Sequence, residues 1–324
     1  MVSLMDFVLK RRNNNGMLVG LPGDWVFLDW APMTKEGELS AIQILFARSL
    51  EAMAVCASLM KDEKGAGMYN QLSVDLKKKI METFWDPQQQ AFIHSRKDSQ
   101  PNKQVTRYAN MFAMMFGYLD PVKTEAVKNN VLMNDKVLKI TTPYMRFYEL
   151  AALAEAGQQA FVLKEVKNYW GGMLKEGATS FWEVYNPTEK GVEHLAMYGR
   201  PFGRSLCHAW GASPLYLLGK YYLGVRPTQP GYAEYIVEPN LGGLQWMEGK
   251  VPTPHGDISV FADTKQIKIT TVGGKGTLRF RSSKTPQSKN GKITSIGNNT
   301  YEMTLDSGKD YVVRYVAFAL PNKK

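Results

Sequence analysis

The sequence predicts a mainly α plus β chain: a helical region over about residues 38–222, then an antiparallel β-sandwich from about residue 228. Three observations predict it. Apolar residues recur at three- and four-residue steps through the first region, the spacing that lines one face of a helix. Short alternating runs separated by Gly, Asn, Asp and Ser fill the second, the pattern of a sheet with one buried face. Pro227, Pro230 and Gly231 punctuate the change. Two domains follow, 1–228 and 229–324. Of the 324 residues, 44% are hydrophobic and 22% charged, enough apolar material for a full core and an argument against disorder.

Met1 to Arg11 reads as a first helix. Ser40 to Met60 reads as a long one, with Ile42, Leu45, Phe46, Leu50, Met53, Ala54 and Ala57 on its apolar stripe. Thr34, Glu36 and Glu38 are expected to mark its start, because side-chain oxygens and negative charge favour a helix N-terminus. Further helices are predicted at about 68–84, 104–118, 121–132, 143–156, 158–174 and 203–222, making seven or eight. Ala113, Gly117, Ala151, Ala152 and Ala154 are small enough to let helices approach closely. Trp85-Asp86-Pro87 followed by Ala91-Phe92-Ile93 reads as a tight hairpin. Gly172 to Arg204 has little helical period and is rich in Gly, Trp, Tyr and His; so long an irregular segment within a compact domain suggests a function. The predicted strands are Tyr235–Val237, Ile258–Phe261, Ile267–Thr270, Thr277–Phe280, Tyr301–Leu305 and Tyr311–Leu320.

Composition excludes several function classes. The net charge of +10 is divided evenly, +5 up to residue 228 and +5 beyond, so no basic tail or stripe marks a nucleic-acid or membrane surface. The longest basic run, Lys77-Lys78-Lys79, reads as a solvated helix face. Cys56 and Cys207 stand alone in apolar text, excluding a disulfide scaffold or a paired-cysteine metal site. No run approaches 18 apolar residues, so no membrane span is expected. Met1 to Phe7 is too short and acidic for a signal peptide.

Candidate chemistry is sparse and clustered. Gly23 to Trp30 places Asp24, Trp25, Asp29 and Trp30 within seven residues. A sugar ring offers apolar C–H faces, which an indole covers, and a rim of hydroxyls, which a carboxylate binds directionally. A loop whose tryptophans plug a core and whose aspartates cap a helix fits the same letters. Gly177 to Glu183 flanks Glu183 with Phe181 and Trp182; burial there would poise a carboxylate as a general base toward water. An exposed or ion-paired glutamate is the other reading. Ser205 to Gly211 carries Cys207 and His208 at an expected helix start, where adjacent side chains diverge by roughly 100° and cannot pair as nucleophile and base. Cys207 is expected in the core. His208 reads as a cleft hydrogen-bonding partner or a satisfied core histidine. His94, His194 and His255 show no metal-ligand spacing. Gly273-Gly274-Lys275-Gly276 is a turn between strands and lacks the context of a phosphate loop.

Gly-Asp-Trp at 23–25, Gly-Ala-Thr-Ser-Phe-Trp-Glu at 177–183 and Ser-Leu-Cys-His-Ala-Trp-Gly at 205–211 together resemble the bacterial α-L-rhamnosidases of glycoside hydrolase family 78. Pro214 to Leu218, Leu223 to Pro227 and Val251 to Gly256 extend the likeness, in matching order and spacing, over about residues 20–320. The resemblance implies an (α/α)6 toroid of twelve helices followed by a C-terminal β-sandwich. It implies inverting removal of terminal α-L-rhamnose without a cofactor or metal, in which one carboxylic acid protonates the leaving oxygen and a carboxylate across the ring activates water. Glu183 matches the general base. Trp25 or Trp30 matches an aromatic wall, and His208 a histidine that binds sugar hydroxyls. Asp24, Asp29 and Trp182 are extensions from the same motifs.

The sequence departs from the family in one place. The Asp-Glu-Arg-Leu-Gly-Trp-like stretch that carries the general acid does not precede Asp24. Seven or eight helices also fall short of twelve. The expectation is an incomplete toroid, the C-terminal part of a longer enzyme, with the missing N-terminal part as its partner and a rhamnose-containing oligosaccharide or glycoside as ligand. The absence of a signal here leaves a periplasmic or secreted parent open. Loss of the acid alone is expected to lower the rate on the order of 10²–10⁴-fold. A catalytically incomplete sugar-binding remnant is the second reading. Another (α/α)6 hydrolase or lyase is the third; a uronate enzyme would need a cation in the cleft, for which Arg200 and Arg204 are the only nearby candidates, Lys175 lying outside the motif.

Overall fold

The computed structural model describes residues 1–20 and 23–318 and falls into two compact units, Met1–Leu153 and Ala154–Lys324. The change of texture near 228 thus lies inside the second unit.

The first unit opens with α1 (Val2–Lys10) and is built on an antiparallel helix pair, α2 (Ser40–Leu59) and α3 (Glu63–Phe84). Ile44, Ala47, Leu50 and Ala54 of α2 and Tyr69, Leu76 and Ile80 of α3 are buried at helical spacing, and Ser73 Oγ donates to Ala47 O across the pair at 3.1 Å. Asp62 caps α3 by accepting from Gly65 N at 2.9 Å, satisfying an otherwise orphaned N–H. By length and composition α2 could cross a membrane, against the expectation of no such segment; yet ten of its twenty residues are buried, as in a core helix.

The expected start signal of α2 serves elsewhere. Glu38 lies in β1 (Glu38–Leu39), buried and paired with Arg96 at 2.6 Å, and Thr34 O contacts the His94 ring at 2.8 Å. The helix is instead tied in by Ser40, whose hydroxyl donates to Ile93 O and His94 O.

The predicted hairpin is present as β2 (Trp85–Asp86) and β3 (Ala91–Lys97), and β4 (Gln100–Val105) extends it in antiparallel register with β3. Then come α4 (Arg107–Met115), α5 (Pro121–Val127), which runs on into a π-type turn over Lys128–Leu132, and α6 (Pro143–Glu155). Buried Arg107 and Arg146 each donate to one oxygen of buried Glu149, at 2.5 and 2.8 Å. Ala113, Ala151, Ala152 and Ala154 are buried as expected of close-approach residues, whereas Gly117 is an exposed helix terminator at φ +70°.

The second unit begins with α7 (Gln159–Lys175) and continues through the irregular run to α8 (Ser213–Leu217), extended by a π-type turn over Leu218–Leu223. The helix predicted over 203–222 therefore exists only in its second half. Gly224, at φ +76°, ends it: a Cβ there would sit 2.0 Å from Glu238 O.

The sandwich follows. One sheet has the order β12 (Thr294–Gly297), β13 (Thr300–Leu305), β10 (Lys275–Arg281), β6 (Glu234–Val237), β5 (Val225–Pro227). The other has the order β11 (Gln287–Ser288), β14 (Asp310–Arg314), β9 (Gln266–Thr270), β8 (Gly256–Asp263), β7 (Trp246–Thr253). Alternate residues Ile258, Val260, Ala262, Ile267, Ile269, Leu278, Phe280, Tyr311 and Val313 point inward and are buried. The sheets are antiparallel with one exception, since β6 and β10 pair in parallel. Between these two strands the chain crosses to the other sheet and back, so it re-enters in the same direction. Of the last predicted strand, residues 315–318 are irregular, and 319 and 320 lie outside the described residues.

Candidate active site

The predicted site residues fall into two loops, one in each unit. In the first unit, Trp25, Phe27 and Trp30 form an aromatic cluster with ring centroids 5.1–6.3 Å apart. Lys35 Nζ lies over Phe27 and Trp30 at 5.6 and 6.0 Å. Trp25 is 75% exposed. It lines a cleft of about 380 Å³ with Phe7 and Val8 of α1, Leu18, and Leu39 and Ile42 at the start of α2. Asp24 stands at the same cleft, paired with Arg11.

Asp29 is different in kind. It is fully enclosed, and its carboxylate accepts from Tyr108 Oη at 2.5 Å, Thr142 Oγ1 at 2.6 Å and Trp30 N at 2.8 Å. Burial raises its pKa above the ordinary Asp value, and the three hydrogen bonds only partly offset that. The same burial, with Asp29 beside it, pushes the Tyr108 phenol up. This aspartate is bonded into the loop that carries Trp30, and its carboxylate is closed off from solvent. Tyr108 and Thr142 had no signal in the sequence, being 79 and 113 residues away.

In the second unit, Glu183 is half-buried in a ladder between two irregular segments. Glu183 N donates to Ser205 O at 3.0 Å, Ser205 N donates to Glu183 Oε2 at 3.0 Å, and His208 N donates to Phe181 O at 2.8 Å. Trp210 Nε1 donates to Glu183 O at 3.0 Å. This ladder is why 203–212 is not a continuous helix: its backbone groups pair with 181–183. The expected geometry of Cys207 and His208 falls with it. Cys207 is exposed, not in the core, and the half-buried His208 ring packs on Trp210 at 4.4 Å.

Trp182 is buried at 5% exposure, its ring 5.7 Å from His194, so it too backs the loop from inside. Gly172 of α7 makes room for Tyr185, whose hydroxyl a Cβ would meet at 2.4 Å.

Of the cations weighed for a uronate site, Arg204 is already engaged. Arg204 binds Glu189 through both terminal nitrogens, which lowers the pKa of Glu189 and raises that of Arg204. Arg200 and Lys175 appear in none of the contacts that build the Glu183 loop. Among the described residues no three His, Cys, Asp or Glu side chains cluster as a metal site.

The model of the bacterial alpha-L-rhamnosidase 6 hairpin glycosidase domain matches residues 1–222, and that of the bacterial alpha-L-rhamnosidase C-terminal domain matches residues 224–267. The chain belongs to the bacterial α-L-rhamnosidase family. An alpha-L-rhamnosidase of Alteromonas sp. (strain LOR) is 30% identical over 166 residues, which are 48% of this chain and 17% of that protein. The glycoside hydrolase family 78 rhamnosidase of Bacillus sp. GL1 is similar with a TM-score of 0.69 and 25% identity, over 79% of this chain and 27% of that one. The Klebsiella oxytoca rhamnosidase solved with rhamnose bound is similar with a TM-score of 0.57 and 26% identity, over 67% of this chain and 40% of that one. The chain thus spans less than half the length of each of these rhamnosidases. The six-hairpin domain followed by a C-terminal β-sandwich is the family's architecture, and the helices and sheets described above fit it.

Proposed function

We propose that this chain supplies the base side of α-L-rhamnoside hydrolysis by inversion, with Glu183 as the general base. The observation that carries the reading is the state of its carboxylate. Oε2 is held by Ser205 N–H, while Oε1 has no hydrogen-bond partner among the described residues. A base needs this combination: one oxygen fixed for orientation, the other able to accept a proton from water. Inversion places that water across the sugar ring from the acid. His208 is the sugar-hydroxyl partner beside it. Trp25, with Trp30 and Asp24 near it, is a separate candidate sugar contact carried by the loop of the first unit. Asp29 and Trp182 hold their loops in place. The ligand class is a terminal α-L-rhamnoside, in line with the rhamnose bound in the Klebsiella oxytoca relative.

The reading places leaving-group protonation outside these motifs. No Asp-Glu-Arg-like stretch precedes Asp24, and Glu189, the carboxylate adjoining the Glu183 ladder, is occupied by Arg204. The same observation favours the second reading, a chain that binds rhamnose and turns it over little by itself. The experiment is release of nitrophenol from an aryl α-L-rhamnoside, beside rhamnose binding followed by tryptophan fluorescence. Binding with turnover near background is expected. Turnover abolished by Glu183→Gln would place the acid within this chain and support the base assignment. Turnover that survives Glu183→Gln, or an absence of rhamnose binding, sinks the proposal.

A further inference from the structure

Behind the Glu183 ladder lies a buried polar group that the reaction just described does not use. His194, 2% exposed, sits in a 3₁₀ turn over Gly191–Leu195. Its ring stacks on Tyr185 at 5.5 Å and 16° and meets Trp182 at 5.7 Å. It therefore touches the chain on both sides of Glu183. Nδ1 lies 3.4 Å from Glu189 Oε2 and Nε2 lies 3.8 Å from Glu176 Oε2. Glu189 in turn grips Arg204 with both oxygens, at 2.7 Å for Nη2, and Arg204 N donates to Leu195 O at 3.0 Å. Arg204 immediately precedes Ser205, whose N–H holds the Glu183 carboxylate.

The charges around this group are the guanidinium of Arg204, the carboxylates of Glu183, Glu189 and Glu176, the His194 imidazole and the Tyr169 phenol of α7. Beside Glu189, the carboxylate of Glu183 and the Tyr169 phenol are among the groups that raise the Arg204 pKa. Without a counterion, an arginine beside a carboxylate draws it into a bidentate pair, occupying both oxygens and disfavouring protonation. Glu189 occupies the fork first. Resting on the assignment of Glu183 as base, we propose that Glu189, steadied by His194, is a positioning residue that neutralises Arg204. Ser205 N–H then holds the Glu183 carboxylate in place of the guanidinium, and Oε1 stays open to water.

The test is a ¹³C-carboxyl NMR titration of Glu183 in the 324-residue chain. In Glu189→Gln, Arg204 turns its unmatched charge on Glu183, and the midpoint falls by about one pH unit. In Arg204→Gln, Glu189 is left uncompensated beside Glu183, and the midpoint rises. The double variant, which keeps hydrogen-bonding amides but neither charge, returns close to the wild-type value. Opposite signs in the two single variants are what a merely structural role would not produce. Equal midpoints, shifts of the same sign, or failure of both single variants to fold overturns the proposal; if only one folds, the sign of its shift decides. The titration reads Glu183 directly, so it stands whether or not the chain hydrolyses a rhamnoside. Turnover above background that survives Glu183→Gln would instead remove the base assignment and leave the titration untouched.

Discussion

The two acidic loops use the same residue types in opposite ways. In the first unit the acid is sealed and the indole is open: Asp29 is fully enclosed with three donors, while Trp25 is 75% exposed. In the second the indole is sealed and the acid is less so: Trp182 is 5% exposed, while Glu183 is half-buried and keeps an oxygen without a hydrogen-bond partner among the described residues. A buried carboxylate with three donors already aimed at it is a fastener, because it has no exposed surface for a further ligand to reach. A half-open one can move a proton. Residue type and neighbourhood in the sequence do not tell these apart; the number of donors aimed at each oxygen does.

Four measurements would break or sharpen that contrast, taken from the largest expected effect. Trp182→Ala removes a buried indole and should lower unfolding stability by about 3–5 kcal/mol, read from urea unfolding. A loss below about 1 kcal/mol would mean the ring is not part of the core. Asp29→Ala should destabilise by about 2–4 kcal/mol, because Tyr108 and Thr142 are left as buried donors without an acceptor. Stability unchanged in that variant would contradict the fastener role.

The third concerns pH. The Asp29 pKa is raised in the folded state above the model-compound value of 3.8. Between those two values the native protein keeps a proton that the unfolded chain has released, so this group subtracts stability as pH rises through the interval. Asp29→Asn should flatten that part of the stability–pH curve. A slope identical to wild type in chemical unfolding from pH 4 upward would show that the carboxyl titrates normally. Finally, Trp25→Ala and Glu183→Gln each alter a side chain that the fold does not rely on. Both should stay within about 0.5 kcal/mol of wild type, while Trp25→Ala weakens rhamnose binding. Rhamnose titrations unchanged by Trp25→Ala would take that residue out of the sugar-contacting surface.

Where a rule acts over one turn of helix or one strand, the sequence was a good guide. The stripe from Ile42 to Ala57 became α2, the Trp85–Ile93 signals became a hairpin, and the inward faces of β8, β9, β10, β13 and β14 follow the alternation. Reading failed where backbone partners are distant. Leu206, Ala209 and Trp210 have helical spacing, but their segment pairs with 181–183, about two dozen residues upstream. Glu38 carries the composition of a helix start, yet Arg96 of β3 claims it. Strand β7 escaped notice because Gly249 and Pro252 interrupt its alternation, a lapse that pairing with β8 tolerates.

For the candidate site, the sequence marked the two loops and Glu183 itself through the company of Gly, Trp and acid in irregular text. It could not show that Asp29 is closed off by Tyr108 and Thr142, that Cys207 faces solvent, or that Arg204 is taken by Glu189. Periodicity and composition determined which stretches are helix, strand and irregular loop, since those preferences are set by neighbours within a few residues. The tertiary structure alone decided which polar groups are satisfied, because a hydrogen bond depends on where the chain brings its two ends, and that is a property of the whole fold.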